Sequence, residues 1–242
     1  MSLLGTYTYE GGTDGQAVAV GSYGVTGTTG TAVYSTAAAV HGNLGISLGT
    51  VWSYVAYAAI AMPMTGSVYM RRGPETPASR ISFITFKDYS DGTTSAFAIG
   101  LKKTGELILQ DGPGNILATT TIATAPGDTV RCDWQATADG TNVQLSARFY
   151  VGSNLEGTTA DASLTTTIAS TVTTVITELV TYSTTTLMFD TLRLWDDISA
   201  WPGPYTPTTP TITVWNGTSE VNGTLTVWNG TSEVPLSSIE VL

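Results

Sequence analysis

His41 is the single histidine of the chain and Cys132 the single cysteine, so nucleophilic or metal chemistry has few groups to draw on. A base–nucleophile triad would have to use His41 as its base. His41 follows Ala37, Ala38, Ala39 and Val40, where capping or packing at the end of a short helical turn is its expected role. Cys132 lies in the alternating run from Val130 to Trp134 and reads as a small buried hydrophobe. Alone, it makes no intrachain disulfide and no thiolate metal cage.

The carboxylates are more numerous but poorly arranged for catalysis. Glycoside hydrolysis needs two carboxyl groups about 5 to 10 Å apart across the scissile bond, and no Glu-x-Asp-x-x-Glu run places such a pair on one strand. Asp196 and Asp197 are neighbours, which on a strand point to opposite faces. Asp88 and Asp91 flank a turn and are suited to shaping it, or at most to holding a calcium ion with backbone carbonyls. The expectation is a protein that is not an enzyme, has no cofactor, and has calcium as the one metal worth considering.

The elements that must position these groups are strands. Charged residues are 12% of the chain, hydrophobic ones 42%, and there are 26 glycines, a composition that favours strands and turns over helices. Turn signals at Asp91-Gly92, Thr104-Gly105, Asp111-Gly112-Pro113-Gly114, Pro126-Gly127-Asp128 and Asp139-Gly140 come at the short spacing of an antiparallel β-sandwich. Strands are expected at 6–10, 16–20, 46–48, 51–60, 67–70, 80–87, 95–101, 106–110, 116–121, 129–135 and 143–151. The run 164–182 is read as strand because its β-branched side chains are restricted in a helix. In the closing strand from Leu187 to Trp195, simple alternation puts Met188, Asp190, Leu192 and Leu194 on one face and Phe189, Arg193 and Trp195 on the other.

The net charge of −10 and a sequence pI near 4.3 argue against a nucleic-acid partner, since phosphate binding needs clustered cations. The pairs Arg71-Arg72 and Lys102-Lys103 are expected on a solvated strand edge or turn. The opening Met-Ser-Leu-Leu-Gly-Thr-Tyr lacks the charged start and apolar core of a secretion signal, and no apolar run has the length of a membrane span. The expectation is a protein without membrane contact, made in the cytoplasm and leaving the cell as part of a particle.

Pro202, Pro204, Pro207 and Pro210 interrupt the strand pattern. They divide the chain into a body, 1–201, a proline-rich linker, 202–210, and a tail, 211–242. In the tail, Thr213 to Val221 recurs identically as Thr226 to Val234, a period of 226 − 213 = 13 residues. Asn216-Gly217, Asn222-Gly223 and Asn229-Gly230 read as type I′ hairpin turns, which predicts a small meander. Two hairpins cannot bury Trp215 and Trp228 by themselves. The tail is therefore expected to dock on another subunit or to oligomerise, a trimer being one such arrangement, through Trp215, Val221, Trp228, Val234 and Ile239.

Four segments carry a family resemblance: Tyr9-Glu10-Gly11-Gly12, Tyr34 to Gly42, Arg131-Cys-Asp-Trp134, and Phe189-Asp190-Thr-Leu192-Arg-Leu194. In this order, over Thr6 to Tyr205, they resemble the concanavalin A-like, laminin-G-like jelly-roll modules of minor tail proteins from tailed phages of actinobacteria. The Val-Trp-Asn-Gly-Thr repeats are similar to the C-termini of structural proteins from such phages. The resemblance implies an all-β jelly-roll sandwich in a virion, with other virion subunits and a host-surface glycan as partners. Exposed aromatic and amide side chains near turns, such as Tyr69, Tyr89 and Asn115, are then the candidate sugar contacts. Where those modules often carry a second acidic residue this chain has Thr191, so no carboxylate cluster is implied there. A head decoration protein of the same design and a free lectin are the alternatives.

Overall fold

A computed structural model of the chain describes residues 2–49, 52–75, 80–181 and 185–206, with Tyr23 in backbone alone, and in backbone alone residues 211–215, 220–224, 226–228 and 233–235. The chain divides into two compact units, Met1–Pro204 and Tyr205–Leu242.

In the first unit the strands are β1 (Leu3–Tyr7), β2 (Val25–Thr29), β3 (Ala32–Ser35), β4 (Gly45–Leu48), β5 (Ser53–Ala61), β6 (Met64–Arg72), β7 (Ile81–Asp88), β8 (Ser95–Leu101), β9 (Glu106–Asp111), β10 (Ile116–Ala123), β11 (Thr129–Ala138), β12 (Asn142–Val151), β13 (Ala162–Ala169), β14 (Thr174–Thr181) and β15 (Leu187–Trp195). They form two antiparallel sheets. Sheet A has the order β13-β12-β11-β6-β15-β4-β3, with β1 also pairing β15, and sheet B has the order β10-β9-β8-β7-β14-β5-β2. This is an all-β sandwich of two antiparallel sheets. Five glycines of the turn signals in the sequence, Gly92, Gly105, Gly114, Gly127 and Gly140, all take positive φ, the region that L side chains avoid.

The core lies where alternate residues of the two sheets face each other. Phe86 and Phe97 of sheet B stack at 4.6 Å between ring centroids, and Phe86 meets the Trp134 indole of sheet A edge-on at 5.8 Å. Trp134 pairs across the ladder with Gly66, and a Cβ at Gly66 would fall onto the Trp134 ring. The absent side chain makes room for the indole. Cys132 is buried in the same face, as its flanking pattern predicts.

Several elements differ from the sequence expectation for identifiable reasons. The opening strand is Leu3–Tyr7, and the segment around Gln16 contributes only the bridge Ala17↔Val33. The expected helical turn is a single 3-10 turn, Thr36–Ala38, and two others occur at Ser22–Gly24 and Gly152–Asn154. The Thr- and Val-rich run divides at 170–173 into β13 and β14, which belong to opposite sheets. Arg72 is buried, its guanidinium donating to the Thr124 carbonyl at 2.5 Å, because β6 is central in sheet A and not at an edge.

The closing strand shows the largest departure. Between Asp190 and Arg193 the register on β6 shifts, and Thr191 has φ +46. This bulge adds one residue and reverses the alternation. Leu187, Phe189, Leu192 and Leu194 therefore all join the core, while Asp190 pairs with Tyr69, and Arg193 with Ser67, on the opposite face. The bulge lies where the other neighbour of β15 changes from β4 to β1.

The second unit contains two separate two-stranded antiparallel sheets. β16 (Thr211–Trp215) pairs β17 (Glu220–Thr224), and β18 (Thr226–Trp228) pairs β19 (Glu233–Pro235). Each copy of the repeat thus supplies the ends of one hairpin. Asn222 and Gly223 lie inside β17 and not at a turn, since Asn222 pairs with Thr213 and Gly223 with Ile212. Trp215, Val221, Trp228 and Val234 occupy strand positions in backbone, and Ile239 lies outside the described residues.

Candidate functional site

Each sheet has a face turned away from the core, and the two faces are built differently. On sheet A, alternation sends Ser67, Tyr69, Arg131, Asp133, Gln135, Arg148, Tyr150 and, after the bulge, Arg193 outward. The Arg131 guanidinium stacks on Tyr150 at 3.6 Å and donates to the carbonyls of Leu155 and Gly157. Its Nε lies 3.4 Å from Asp133 Oδ1, which accepts the Ser67 hydroxyl at 2.7 Å. Arg193 Nη2 donates to Ser67 Oγ at 3.2 Å and to the Gly203 carbonyl at 2.5 Å. Gln135 Nε2 donates to the carbonyls of Ile198 and Ala200, and Arg148 stacks on Trp201 at 4.2 Å. Two chain segments, 152–160 and 196–204, are thereby fastened across this face.

A third segment, 40–44, is fastened by carboxylates. Asp190 Oδ2 accepts the N–H groups of Val40 at 2.7 Å and His41 at 2.6 Å, and Glu10 accepts those of Asn43 and Leu44. His41 Nε2 lies 3.0 Å from Glu156 Oε1, and its ring meets Tyr69 edge-on at 4.5 Å. His41 thus has a carboxylate partner that sequence spacing does not show, 115 residues away. Tyr69 is 0% exposed, with its hydroxyl donating to Glu156 at 3.4 Å, so it presents no ring face to a ligand. It falls short as a sugar contact because its strand is central and the 152–160 segment covers it.

Burial sets the electrostatics of this face. It pushes the Asp133 carboxyl up to about 6, against the opposing pull of Arg131, the Ser67 hydroxyl and Arg193. It also raises Asp190, despite the N–H groups of His41 and Val40, and lowers Arg193. Over β6, β11 and β15 the outward face of sheet A is a covered polar clamp.

The outward face of sheet B is lined mainly by small side chains. One register row crosses six strands in the order Gln110, Ala98, Thr85, Glu178, Ala56, Gly27. Lys87 Nζ lies 3.1 Å from Glu178 Oε1 and 5.2 Å from the Tyr54 ring centroid, and the Trp52 ring is 6.4 Å from Tyr54. Gln110 is held at both ends, its Oε1 accepting the Ser82 hydroxyl and its Nε2 donating to the Gly114 carbonyl. Glu178 Oε2 and Thr85 Oγ1 are buried without a hydrogen-bond partner among the described residues. Burial raises the Glu178 carboxyl while Lys87 opposes the rise.

Exposed side chains flank this face. Tyr89 (60% exposed) and Asn115 sit on the β7–β8 and β9–β10 turns. The two turns are neighbours, as a Cβ on Gly112 would meet the Ser95 carbonyl at the start of β8. The Asn115 amide is engaged by Asp111, to which both its side chain and its backbone N–H donate. Trp52 (52% exposed) precedes β5, whose Ser53 pairs with Thr181, at the opposite end of the same strands. Trp52, Tyr54, Thr85, Lys87 and Glu178 stand in no motif of the sequence. The available signal is a lone carboxylate within the β-branched run Thr174 to Thr181 and a lone lysine after Ile84-Thr-Phe.

Asp88 and Asp91 are occupied in their turn. Asp88 Oδ1 accepts the Ser90 N–H, and Asp91 accepts the N–H groups of Thr93 and Thr94 and the Thr94 hydroxyl. Those bonds hold the Asp91 carboxyl down at about 2. Among the described residues no three His, Cys, Asp or Glu side chains gather as a metal site.

No protein-family model matches the sequence, and comparison with curated proteins finds no match. Among solved structures the chain is similar to peanut lectin with a nine-residue peptide, at 9% identity and TM-score 0.46, covering 80% of this chain and 97% of that one. It is also similar to the cellulose-induced protein Cip1, at 14% identity and TM-score 0.49, covering 79% and 96%. A third similarity is to the carbohydrate-binding module CBM66 from Bacillus subtilis, at 10% identity and TM-score 0.44, covering 69% and 93%.

Proposed function

We propose that this chain is a non-enzymatic structural protein of a tailed-phage particle, in which the sandwich is displayed to contact a host-surface glycan and the hairpin unit attaches it to neighbouring virion subunits. The observation that carries this reading is the division into unlike units: a fully formed sandwich, and a second unit of two short hairpins with a nine-residue sequence duplication. An isolated hairpin is marginal in water, so the repeats gain stability from a further surface, and Trp215 and Trp228 are suited to anchor on one. The four body segments similar to phage minor tail modules favour tail placement. The face of sheet B supports binding without hydrolysis. Its central row carries one carboxylate, Glu178, flanked by Thr85 and Ala56, whereas glycosidases need a pair.

Deleting 210–242 tests the attachment arm. Particles should then lack the protein while the purified body keeps its unfolding transition; incorporation at the normal level would defeat the reading. Binding of the intact chain to an array of bacterial surface glycans tests the display arm.

A further inference from the structure

We infer that the loop 152–160 and the strap 196–204 form a single cover over Asp133, which closes when that carboxylate takes up a proton and opens when it gives the proton up. Asp133 projects from the outward face of β11, opposite Ser67 on β6 and Arg148 on β12, yet it is 0% exposed. On that face only chain crossing the sheet can exclude water. Both crossing segments are held from the two neighbours of Asp133 along its strand. Arg131 donates to the carbonyls of Leu155 and Gly157, and Gln135 to those of Ile198 and Ala200. A third hold passes through the carboxylate itself. Arg193, which donates to the Gly203 carbonyl, also donates to Ser67 Oγ, whose hydroxyl donates to Asp133 Oδ1. Neither segment contains a strand, so side chains of the face, and not a β-ladder, fasten them to it.

The direction follows from burial. Asp133 Oδ1 has Ser67 and, at 3.4 Å, Arg131 Nε, whereas Oδ2 has no partner among the described residues. A carboxylate with one oxygen unmatched and out of water favours its neutral form. Three cations oppose this: Arg131 on β11, Arg193 on β15 and Arg148 on β12. On the covering segments the ionisable groups are Glu156, engaged by His41 and by Tyr69 of β6, and Asp196 and Asp197 where the strap begins. Burial outweighs the arginines and pushes the Asp133 carboxyl up to about 6. Opening admits water to Oδ2 and returns the group toward its ordinary 3.8. A carboxyl that holds its proton more tightly under the cover than in water keeps the cover shut at low pH, and that hold is lost as pH rises through 6. The strap ends at Pro204, where the first unit ends, so opening frees the chain that leads into the second unit.

The test is amide hydrogen exchange on the full chain from pH 4.5 to pH 7.5, with rates corrected for the intrinsic effect of pH. Amides of 152–160 and 196–204 should exchange faster than core amides of β7 and β11 at every pH, which marks opening without unfolding. Their protection should fall together as pH rises, by about tenfold or more over this range, the full return from about 6 to 3.8 allowing about a hundredfold. Asp133→Asn, neutral at every pH and able to accept the Ser67 hydroxyl, should abolish that dependence in both segments. His41→Gln, which removes the titrating partner of Glu156, should leave it intact in 196–204. If Asp133→Asn does not fold, the pH profiles of the unsubstituted chain and of His41→Gln carry the test. Covering segments as protected as the core, or protection that ignores pH, falls on acidification or changes in one segment alone, would overturn the assignment. So would a pH dependence that survives in Asp133→Asn.

Discussion

The carboxylate of Asp190 accepts the backbone N–H of His41 at 2.6 Å, across 149 residues of sequence. With the Val40 N–H on the same oxygen and the Thr191 hydroxyl on the other, Asp190 fastens the loop after the Thr36–Ala38 turn to the bulge of β15. Segments distant in the sequence converge here. Glu10 holds the residues after His41, and Arg131 holds the loop whose Glu156 meets His41. Together these bonds fasten three loops over one face of the sandwich.

Asp190→Ala removes the acceptor of both N–H groups and is expected to lower stability by about 2–4 kcal/mol. Asp190→Asn, which keeps one acceptor oxygen, should cost about half as much. Urea unfolding gives the totals. Amide exchange should be accelerated at Val40 and His41 beyond the change at core amides; uniform acceleration throughout would assign the loss to general packing.

Asp133 makes stability depend on pH in the direction opposite to an ordinary paired carboxylate. Its native carboxyl is pushed up to about 6 from an ordinary value of 3.8, so between about pH 4 and pH 6 the native state binds a proton that the unfolded chain does not. The contribution is full below about pH 4 and lost as pH rises through 6, amounting to about 3 kcal/mol. Asp133→Asn should remove this slope. The urea midpoint of the unsubstituted protein should therefore fall relative to that of Asp133→Asn between pH 4.5 and pH 7. Parallel pH profiles would place the titrating group elsewhere.

The sandwich is legible in the sequence because its signals are local. The Asp91-Gly92 and Asp139-Gly140 dipeptides and the alternation around Cys132 each report a turn or a face within a few residues. The bulge at Thr191 is not legible, since its side-chain pattern reads equally well as unbroken alternation, and only the register against β6 shows the inserted residue. Glu156 cannot be matched to His41 from sequence, nor Lys87 to Glu178, because each pair is made by a sheet or loop contact between distant segments. Tyr89 lies near a turn, as its flanking Asp88 and Asp91 signal, whereas Tyr69 has no such flanks and lies in a central strand.

Two glycines separate steric from conformational demands. Gly140, at φ +89 in the β11–β12 turn, has no atom within 4 Å of the place an added Cβ would take, so Gly140→Ala is opposed by backbone conformation alone, at about 1–2 kcal/mol. Asp139, which accepts the N–H groups of Thr141 and Asn142, keeps the turn in register. Thermal unfolding should show a lower midpoint with unchanged cooperativity.

Gly66 has no positive φ among its constraints, and its methyl would instead strike the Trp134 indole. That ring is fixed from the other side by Phe86, so it cannot withdraw without opening the core. Gly66→Ala is therefore expected to cost about 2–3 kcal/mol, at the upper end of overpacking by one methyl. The cause is isolated by a double-mutant cycle. Trp134→Leu alone leaves a cavity and destabilises, but in that background Gly66→Ala should become nearly neutral, giving a coupling energy of about 2 kcal/mol. Additive costs would mean that the methyl is resisted by the β6 backbone and not by the indole.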